Sequence, residues 1–372
     1  VTPNDDSSAL LQRVKQAVDT ASHLVIKAGN SKSSLGNAGS DANTAEPLSV
    51  LSHTGVISYE PTELVVTVRS GTTMQELNAV LDEAGQMLPF EPPCLPGSTI
   101  GGVLACGLSG PRRPFSGSAR DYVLGTRIIN GQAQDLSFGG QVMKNVAGYD
   151  VSRLQIGTWG TLGVLLDVSM KVLPKPELEL TLVQAATEHD TRGFSPLMRQ
   201  PLPLSAAMLI GEHRYLRLSG SEAAVMAAAT ELGGDRLSEE DAQIWQSVRD
   251  HEHEFFTSLA QDASLWRISV ADHAPALTLP GEYLYEWAGA QRWLKTTAPA
   301  AEVFAAARAV GGHASRYSAS LDDSAAFQPL DGVMKKLQSR VRDSFDPLRL
   351  FNRGRFHPEL DAPENSQLTS SV

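Results

Sequence analysis

An α+β chain in two halves is the fold class this sequence predicts, and three observations carry it. Strand candidates and amphipathic helices follow one another in mixed order. Nearly half of the 31 glycines fall between Pro92 and Gly163. Pro174 and Pro176 then break an alternating strand, and the texture of the chain changes beyond them. The expected divisions are residues 1–175, a second α+β unit over 176–345, and a C-terminal segment over 346–372 that returns to the first.

Ser8 to Ala21 reads as a helix, with Leu10, Leu11, Val14 and Val18 on one face. His23–Ala28 is a short strand candidate, followed by a small-residue loop to Gly39. Leu64–Val68 is rich in β-branched residues and reads as a strand. Thr73 and Glu76 form a capping box before a helix carrying Leu77, Val80, Leu81 and Ala84, and Gly85 closes it. Pro89 to Gly117 shows little regular periodicity. Tyr122–Asn130 reads as a strand ending at an Asn–Gly turn. In Val164–Val172, Leu166, Val168, Met170 and Val172 point one way and Asp167, Ser169 and Lys171 the other. Past Pro176, strands are expected at Leu178–Val183, Arg214–Leu218, Trp266–Val270 and Tyr283–Trp287. Helices are expected at Ser221–Leu232 and Ala301–Val310, and a late one is spaced by Leu330, Val333, Leu337 and Val341. The tail from His357 reads as polar and loosely packed.

Composition narrows the function. The 372 residues carry 31 Lys+Arg and 42 Asp+Glu, a formal net charge of -11. Nucleic-acid affinity comes mainly from cations on phosphates, so a general nucleic-acid binder is disfavoured. No apolar stretch reaches the roughly 20 residues that span a bilayer, and no secretory signal pattern opens the sequence. A cytoplasmic chain, at most peripheral at the inner membrane through a complex, is the expectation. Cys94 and Cys106 cannot supply the four thiolates of an iron–sulfur cluster, and they read as two free thiols.

Four blocks could carry chemistry. Lys27–Gly36 offers backbone N–H groups for an anion, with Ala28, Gly29, Asn30, Ser31 and Lys32 at its centre; an ordinary surface turn is the alternative. In Glu91–Gly110 the residues Pro96, Gly97, Ser98, Gly101, Gly102, Ala105, Gly107, Ser109 and Gly110 keep side-chain bulk low. Such a segment can lie against a large planar ligand or a diphosphate, or make a tight contact between elements. Arg112–Gly125 brings three arginines and Asp121 beside it, suited to an anionic ligand, an acidic partner or a surface ion-pair network. Arg153–Val164 repeats the glycine pattern, and its Trp159 is either a core or a stacking aromatic.

In this order the blocks resemble the FAD-binding domain of the vanillyl-alcohol oxidase and para-cresol methylhydroxylase family. Gly117–Gly125 and Gly157–Val164 are similar to its isoalloxazine-side and adenine-side elements. More narrowly, Gly110–Asp121, Val142–Asp150 and the late Phe345–Arg355 resemble the FAD-binding E subunits of bacterial glycolate oxidases. The resemblance implies a bilobal PCMH-type flavin domain with a second α+β domain as a cap. Carried over by position, it implies FAD contacts at Ala28, Gly29, Asn30, Ser31, Lys32, Pro96, Gly97, Ser98, Gly101, Gly102, Ala105, Gly107, Ser109 and Gly110. It extends them to Gly117, Ser118, Arg120, Asp121, Gly160, Gly163 and Val164. The early loop has no histidine, so non-covalent FAD is expected.

No catalytic residue is legible. The His-x-Gly-Asp-Gly-Asn-x-His block of related standalone dehydrogenases is missing, and His213, His251, His253, His273 and His313 are scattered. His251 and His253 read as exposed polar residues, not metal ligands. Arg316 and Tyr317 are the weak candidates for an approach to the flavin. The resemblance therefore implies an FAD subunit of a multi-subunit glycolate oxidase that is not the main catalytic one. Its partners would be a homologous catalytic FAD subunit and an iron–sulfur subunit, with a small 2-hydroxy acid as substrate and quinone as a terminal acceptor. A self-sufficient dehydrogenase of a small hydroxy acid such as D-lactate, and a non-redox assembly subunit, are the alternatives.

Overall fold

The computed structural model describes residues 3–39, 44–140, 149–318 and 324–361. Part of the Val142–Asp150 block thus lies outside the described residues. Helix α1 (Ser7–Thr20) buries Leu10, Val14 and Ala17. It leads into β1 (Leu24–Lys27), which pairs in parallel with β2 (Glu46–Ser49). Strands β3 (Val56–Glu60) and β4 (Val65–Arg69) follow, then α2 (Met74–Glu83) with both halves of the Thr73–Glu76 capping box made. Leu77 and Leu81 are buried, whereas Val80 is half-buried and Ala84 exposed.

Within the stretch without periodicity stands α3 (Ile100–Cys106), a helix the sequence did not announce. Gly101 and Gly102 dilute its apolar pattern and lower its propensity. The Thr99 hydroxyl caps it by accepting from the Gly102 N–H at 3.2 Å, and Gly107 ends it in the left-handed region. Strands β5 (Val123–Ile129), β6 (Asp135–Gly139) and β7 (Val164–Lys171) complete an antiparallel sheet ordered β3-β4-β7-β5-β6. Leu166, Val168, Met170 and Val172 are all fully buried, as their alternation requires. Val164 and Leu166 pack with α1 and β1; Val168 and Met170 pack with α2 and α3.

The second sheet has eight antiparallel strands. In chain order they are β8 (Leu178–Ala185), β9 (Leu204–Ile210), β10 (His213–Gly220), β11 (Asp235–Arg236), β12 (Ser264–Ser269), β13 (Glu282–Glu286), β14 (Gln291–Thr296) and β15 (His313–Arg316). Their spatial order is β11-β8-β10-β9-β13-β14-β12-β15. The alanine-rich helices α4 (Glu222–Leu232) and α5 (Ala300–Ala309) cover one face, where Leu216, Leu218, Trp266, Ile268 and Leu294 form the core.

The late helix α6 (Gly332–Phe345) ends against the first sheet: the Phe345 carbonyl accepts from the Gly131 N–H at 2.8 Å. After it the chain lies along β1, where the Leu24 N–H donates to the Leu350 carbonyl at 2.7 Å. The start of the polar tail is well packed, not loose. His357 and Leu360 are buried, and Asp361 pairs with Arg342 at 2.6 Å. A carboxylate that answers a buried guanidinium anchors the chain that hydropathy alone reads as free.

Candidate cofactor site

A cleft opens between the early loop, α3 and the C-terminal segment. Ala28, Gly29, Asn30, Ser31 and Lys32 form one wall; Gly101, Gly102, Ala105, Gly160 and Gly163 line the other. The two glycine blocks interlock beside it. A Cβ built on Gly29 would lie 1.7 Å from the Gly97 carbonyl oxygen. Only glycine permits that approach.

The backbone N–H groups of Gly29, Asn30, Ser31 and Lys32 donate to no protein acceptor among the described residues. Successive backbone donors left open in a turn that lines a cleft make an anion nest. The Lys32 side chain is 7% exposed. Its Nζ donates to the Ser98 Oγ at 2.5 Å and to the Ser31 Oγ at 3.0 Å. No carboxylate among the described residues pairs with it. Burial pulls the ammonium below its ordinary value, so an anion in the cleft would restore the charge it disfavours. Two further polar atoms on the lining, the Ser70 Oγ and the Gln155 Nε2, are buried without a hydrogen-bond partner among the described residues. A diphosphate supplies what each of these donors lacks, so the residues present fit the pyrophosphate of FAD.

Two lining residues come from the C-terminal segment. The Asn352 Oδ1 accepts from the Ile26 N–H at 2.8 Å, and its Nδ2 donates to the Trp159 carbonyl at 2.7 Å. Arg355 donates to the carbonyls of Lys32 at 2.8 Å, and of Ser33 and Asn37 at 3.0 Å. Both sit in the Phe345–Arg355 block noted in the sequence, but nothing in the spacing tied them to the early loop. Trp159 lines the cleft, with Phe327 against its edge at 5.2 Å and Arg355 over it. The Cys106 thiol also lines it and is pushed up to about 11 by burial.

The other expected contact residues stand outside the cleft. Pro96 and Gly97 are exposed, and Ser98 reaches the site only through Lys32. Gly107 caps α3. The Ser109 Oγ accepts from the Ala119 N–H at 3.1 Å, and the Gly110 carbonyl accepts from the Trp287 Nε1 at 3.0 Å. Gly117 ends a one-turn helix; Ser118 and Asp121 cap the next, with Ser118 N–H donating to the Asp121 Oδ2 at 2.8 Å. Arg120 is exposed, and Val164 is fully buried in the core.

The glycine-rich segment meets the second sheet beyond α3. There Glu91 binds Arg217 at 2.6 Å, and Arg112 binds Glu179 at 2.5 Å. Burial works against the Glu91 charge, but Arg217 and Arg112 outweigh it and hold its carboxyl below the usual range. Next to this network the sheet presents Arg267, Glu286, Gln291, Trp293 and Tyr317 around a smaller cavity. Glu286 accepts from the Trp293 Nε1 at 2.5 Å and the Gln291 Nε2 at 2.8 Å, yet burial lifts its carboxyl to about 6. Arg267 donates from Nε to the Gln291 Oε1 at 2.7 Å.

His251 corrects the sequence expectation of an exposed polar residue. Its ring packs on Phe256, Trp293 and Tyr317, and burial lowers its pKa to about 4. Of the two candidates His-Ala-Ser-Arg-Tyr offered, Tyr317 faces this cavity. Arg316 instead donates to Ser324, at 2.6 Å to its Oγ.

Comparison with known proteins fits this geometry. Residues 4–152 match the FAD binding domain family. The chain is 45% identical over 358 residues to the glycolate oxidase subunit GlcE of Escherichia coli (strain K12), covering 96% of this chain and 99% of that one. The chain belongs to the GlcE family. As a GlcE-family member it is an FAD-binding subunit of a 2-hydroxy-acid oxidoreductase. It is also 33% identical over 128 residues to the glycolate oxidase subunit GlcD of Bacillus subtilis (strain 168), over 34% of this chain and 27% of that one. A solved alkyldihydroxyacetonephosphate synthase shares the fold, with a TM-score of 0.65 at 12% identity over 94% of this chain and 75% of that one. Among the described residues no helix is long and apolar enough to cross a membrane.

Proposed function

We propose that the chain holds FAD non-covalently in the cleft and serves a glycolate-oxidising complex as its auxiliary flavin subunit. The observation that carries the cofactor half is the run of four backbone N–H groups with no protein acceptor among the described residues, beside a buried Lys32 ammonium held only by hydroxyls there. Bound FAD supplies a two-electron acceptor that passes electrons on singly. Oxidation of glycolate to glyoxylate releases two electrons and two protons. In this reading a homologous GlcD-type subunit takes them from the substrate, and an iron–sulfur subunit carries the electrons toward quinone. Peripheral attachment to the inner membrane would come through the complex.

The auxiliary role rests on the sheet face beside the cleft. The buried acid of its lining, Glu286, is already held by Trp293 and Gln291, and Trp293, Tyr317 and His251 stand around it. A carboxyl already committed to two donors is poorly placed to take a hydroxyl proton. A second reading is favoured by Arg267, whose Nη groups have no carboxylate partner among the described residues. It could hold a substrate carboxylate, and the chain would then oxidise a small hydroxy acid such as D-lactate by itself.

The experiment is anaerobic mixing of the purified, flavin-loaded chain with glycolate or D-lactate. The auxiliary reading expects an unbleached flavin spectrum, and bleaching once the GlcD-type subunit is added. Bleaching of the isolated chain overturns it in favour of the second reading. A colourless chain that takes up no added FAD overturns both.

A further inference from the structure

Where the glycine-rich segment meets the second sheet, two arginines share one indole. The Arg113 guanidinium lies over the Trp287 ring at 4.3 Å, and that of Arg267, on β12, at 5.2 Å. Trp287 is buried, and its Nε1 is fixed on the Gly110 carbonyl at 3.0 Å. The turn that presents it is strained: Trp287 and Ala288 both sit in the left-handed region, at φ 54° and 53°. Such non-glycine residues cost about 1–3 kcal/mol each and cluster at ligand sites. Arg113 donates to no acceptor among the described residues, and Arg267 only from Nε to Gln291. An indole face offsets part of the cost of burying a cation, but it accepts none of the N–H groups of a guanidinium fork. Burial holds both arginines below their ordinary values, and Arg267 adds to the effect on Arg113. The neighbouring His313 imidazole is lowered by burial, then by Arg267 and Arg113.

We infer that Arg113 and Arg267 hold a small monocarboxylate beside Trp287, bound but not oxidised by this chain. The second half of the inference rests on the auxiliary reading above. Local charge selects the ligand. Gln291 links Arg267 to Glu286, donating from Nε2 to that carboxyl at 2.8 Å. Burial lifts Glu286 only to about 6, so at neutral pH it is largely ionised and answers Arg267. Asp121, the acid whose charge reaches Arg113, is shared with Arg153 and Arg120. One positive charge is left over, at Arg113. A monoanion balances it, whereas a phosphate dianion overshoots it and gives up more hydration. A carboxylate also meets a guanidinium fork with two parallel hydrogen bonds. Ser315 stands directly across from Arg267 in the strand register, so its hydroxyl is offered on the same face. Arg113 comes from the glycine-rich segment and Arg267 from the second sheet. The ligand therefore ties the two together, and its binding stabilises the folded chain.

The test is calorimetric titration of the purified, flavin-loaded chain with α-hydroxyisobutyrate. That acid has no hydrogen on its carbinol carbon, so it reports binding without any oxidation. Its uncharged amide and inorganic phosphate are titrated alongside. The carboxylate is expected to bind about tenfold or more tightly than the amide, as for one charge-assisted contact, and more tightly than phosphate. Arg113→Gln should weaken it tenfold to about a hundredfold and leave FAD content unchanged, because Arg113 has no hydrogen-bond partner to strand. Arg267→Lys keeps the charge and loses the fork, and should weaken binding about tenfold. No binding of the carboxylate, equal binding of the amide, tighter binding of phosphate, or unchanged affinity in both variants overturns the site. Reduction of the flavin by glycolate in the isolated chain overturns the auxiliary reading alone, since the inert acid still reports whether the site exists.

Discussion

Two buried cations in this chain look alike and do opposite things. Arg217 sits between Glu91 and Glu179 at the junction of the two sheets, its charge fully answered. Lys32 sits at the cleft with hydroxyls around it and no carboxylate. A buried cation that the protein satisfies holds the fold, and its loss strands the partner charge. A buried cation left open costs stability in the empty protein and recovers it when an anion binds. The contrast separates scaffold from site without reference to any relative.

The strongest way to break the contrast is at the loop that carries Lys32. Gly29→Val should abolish FAD retention, seen as loss of the visible flavin band after desalting, because the new Cβ collides with the Gly97 backbone. Retained flavin would mean the two loops do not meet as described. Next in size is the junction. Glu91→Ala leaves Arg217 and Arg112 to share Glu179 alone and should cost about 1–3 kcal/mol in chemical denaturation, as for a buried donor that loses its partner. Its FAD affinity should stay within about twofold once folded, since Glu91 does not line the cleft. Lys32→Met should behave in reverse. FAD affinity by titration should fall tenfold to about a hundredfold, as for loss of a charged hydrogen bond. The flavin-free melting temperature should hold or rise. Equal loss of stability in Lys32→Met and Glu91→Ala would erase the distinction.

How much of this was legible beforehand follows from what each interaction leaves in a sequence. Backbone-based features leave glycines and small residues, so the early loop and the Gly101–Ala105 wall were readable. Strand alternation in Val164–Val172 and the Thr73–Glu76 box were readable because they are local. Asn352 and Arg355 were not, since their partners Ile26 and Lys32 lie more than 300 positions away. Helix α3 was hidden by the very glycines that fit it to the cleft. His251 departs from its hydropathy because an imidazole counts as polar, whereas three aromatic neighbours half-bury it and disfavour its charge. The apolar spacing of α6 was visible as periodicity, but periodicity does not say which face the protein covers, and Val333 and Leu337 are exposed.

The most gradual expected effect, spread over pH, tests whether the sheet face beside the cleft is scaffold, like Arg217, or poised chemistry. Glu286 and His251 are shifted in opposite directions, so their contributions to stability oppose each other. The folded Glu286 holds its proton up to about 6, above its ordinary 4.5. Its contribution is present in acid and is lost as pH rises through that window, by about 2 kcal/mol for a shift of this size. The folded His251 resists protonation down to about 4, below its ordinary 6.5. Its contribution is present at neutral pH and is lost as pH falls through 6.5 toward 4, by about 3 kcal/mol. Between about pH 4.5 and 6 the two slopes nearly cancel in the wild type. Glu286→Gln should therefore uncover a stability that falls on acidification, and His251→Gln one that falls toward neutral pH, both read from urea midpoints across that range. A pair that shifts this way without touching flavin spectra belongs to the scaffold. If Glu286→Gln instead alters the flavin absorbance or its reduction by substrate, the acid acts on the cofactor, and the second catalytic reading gains the residue it lacked.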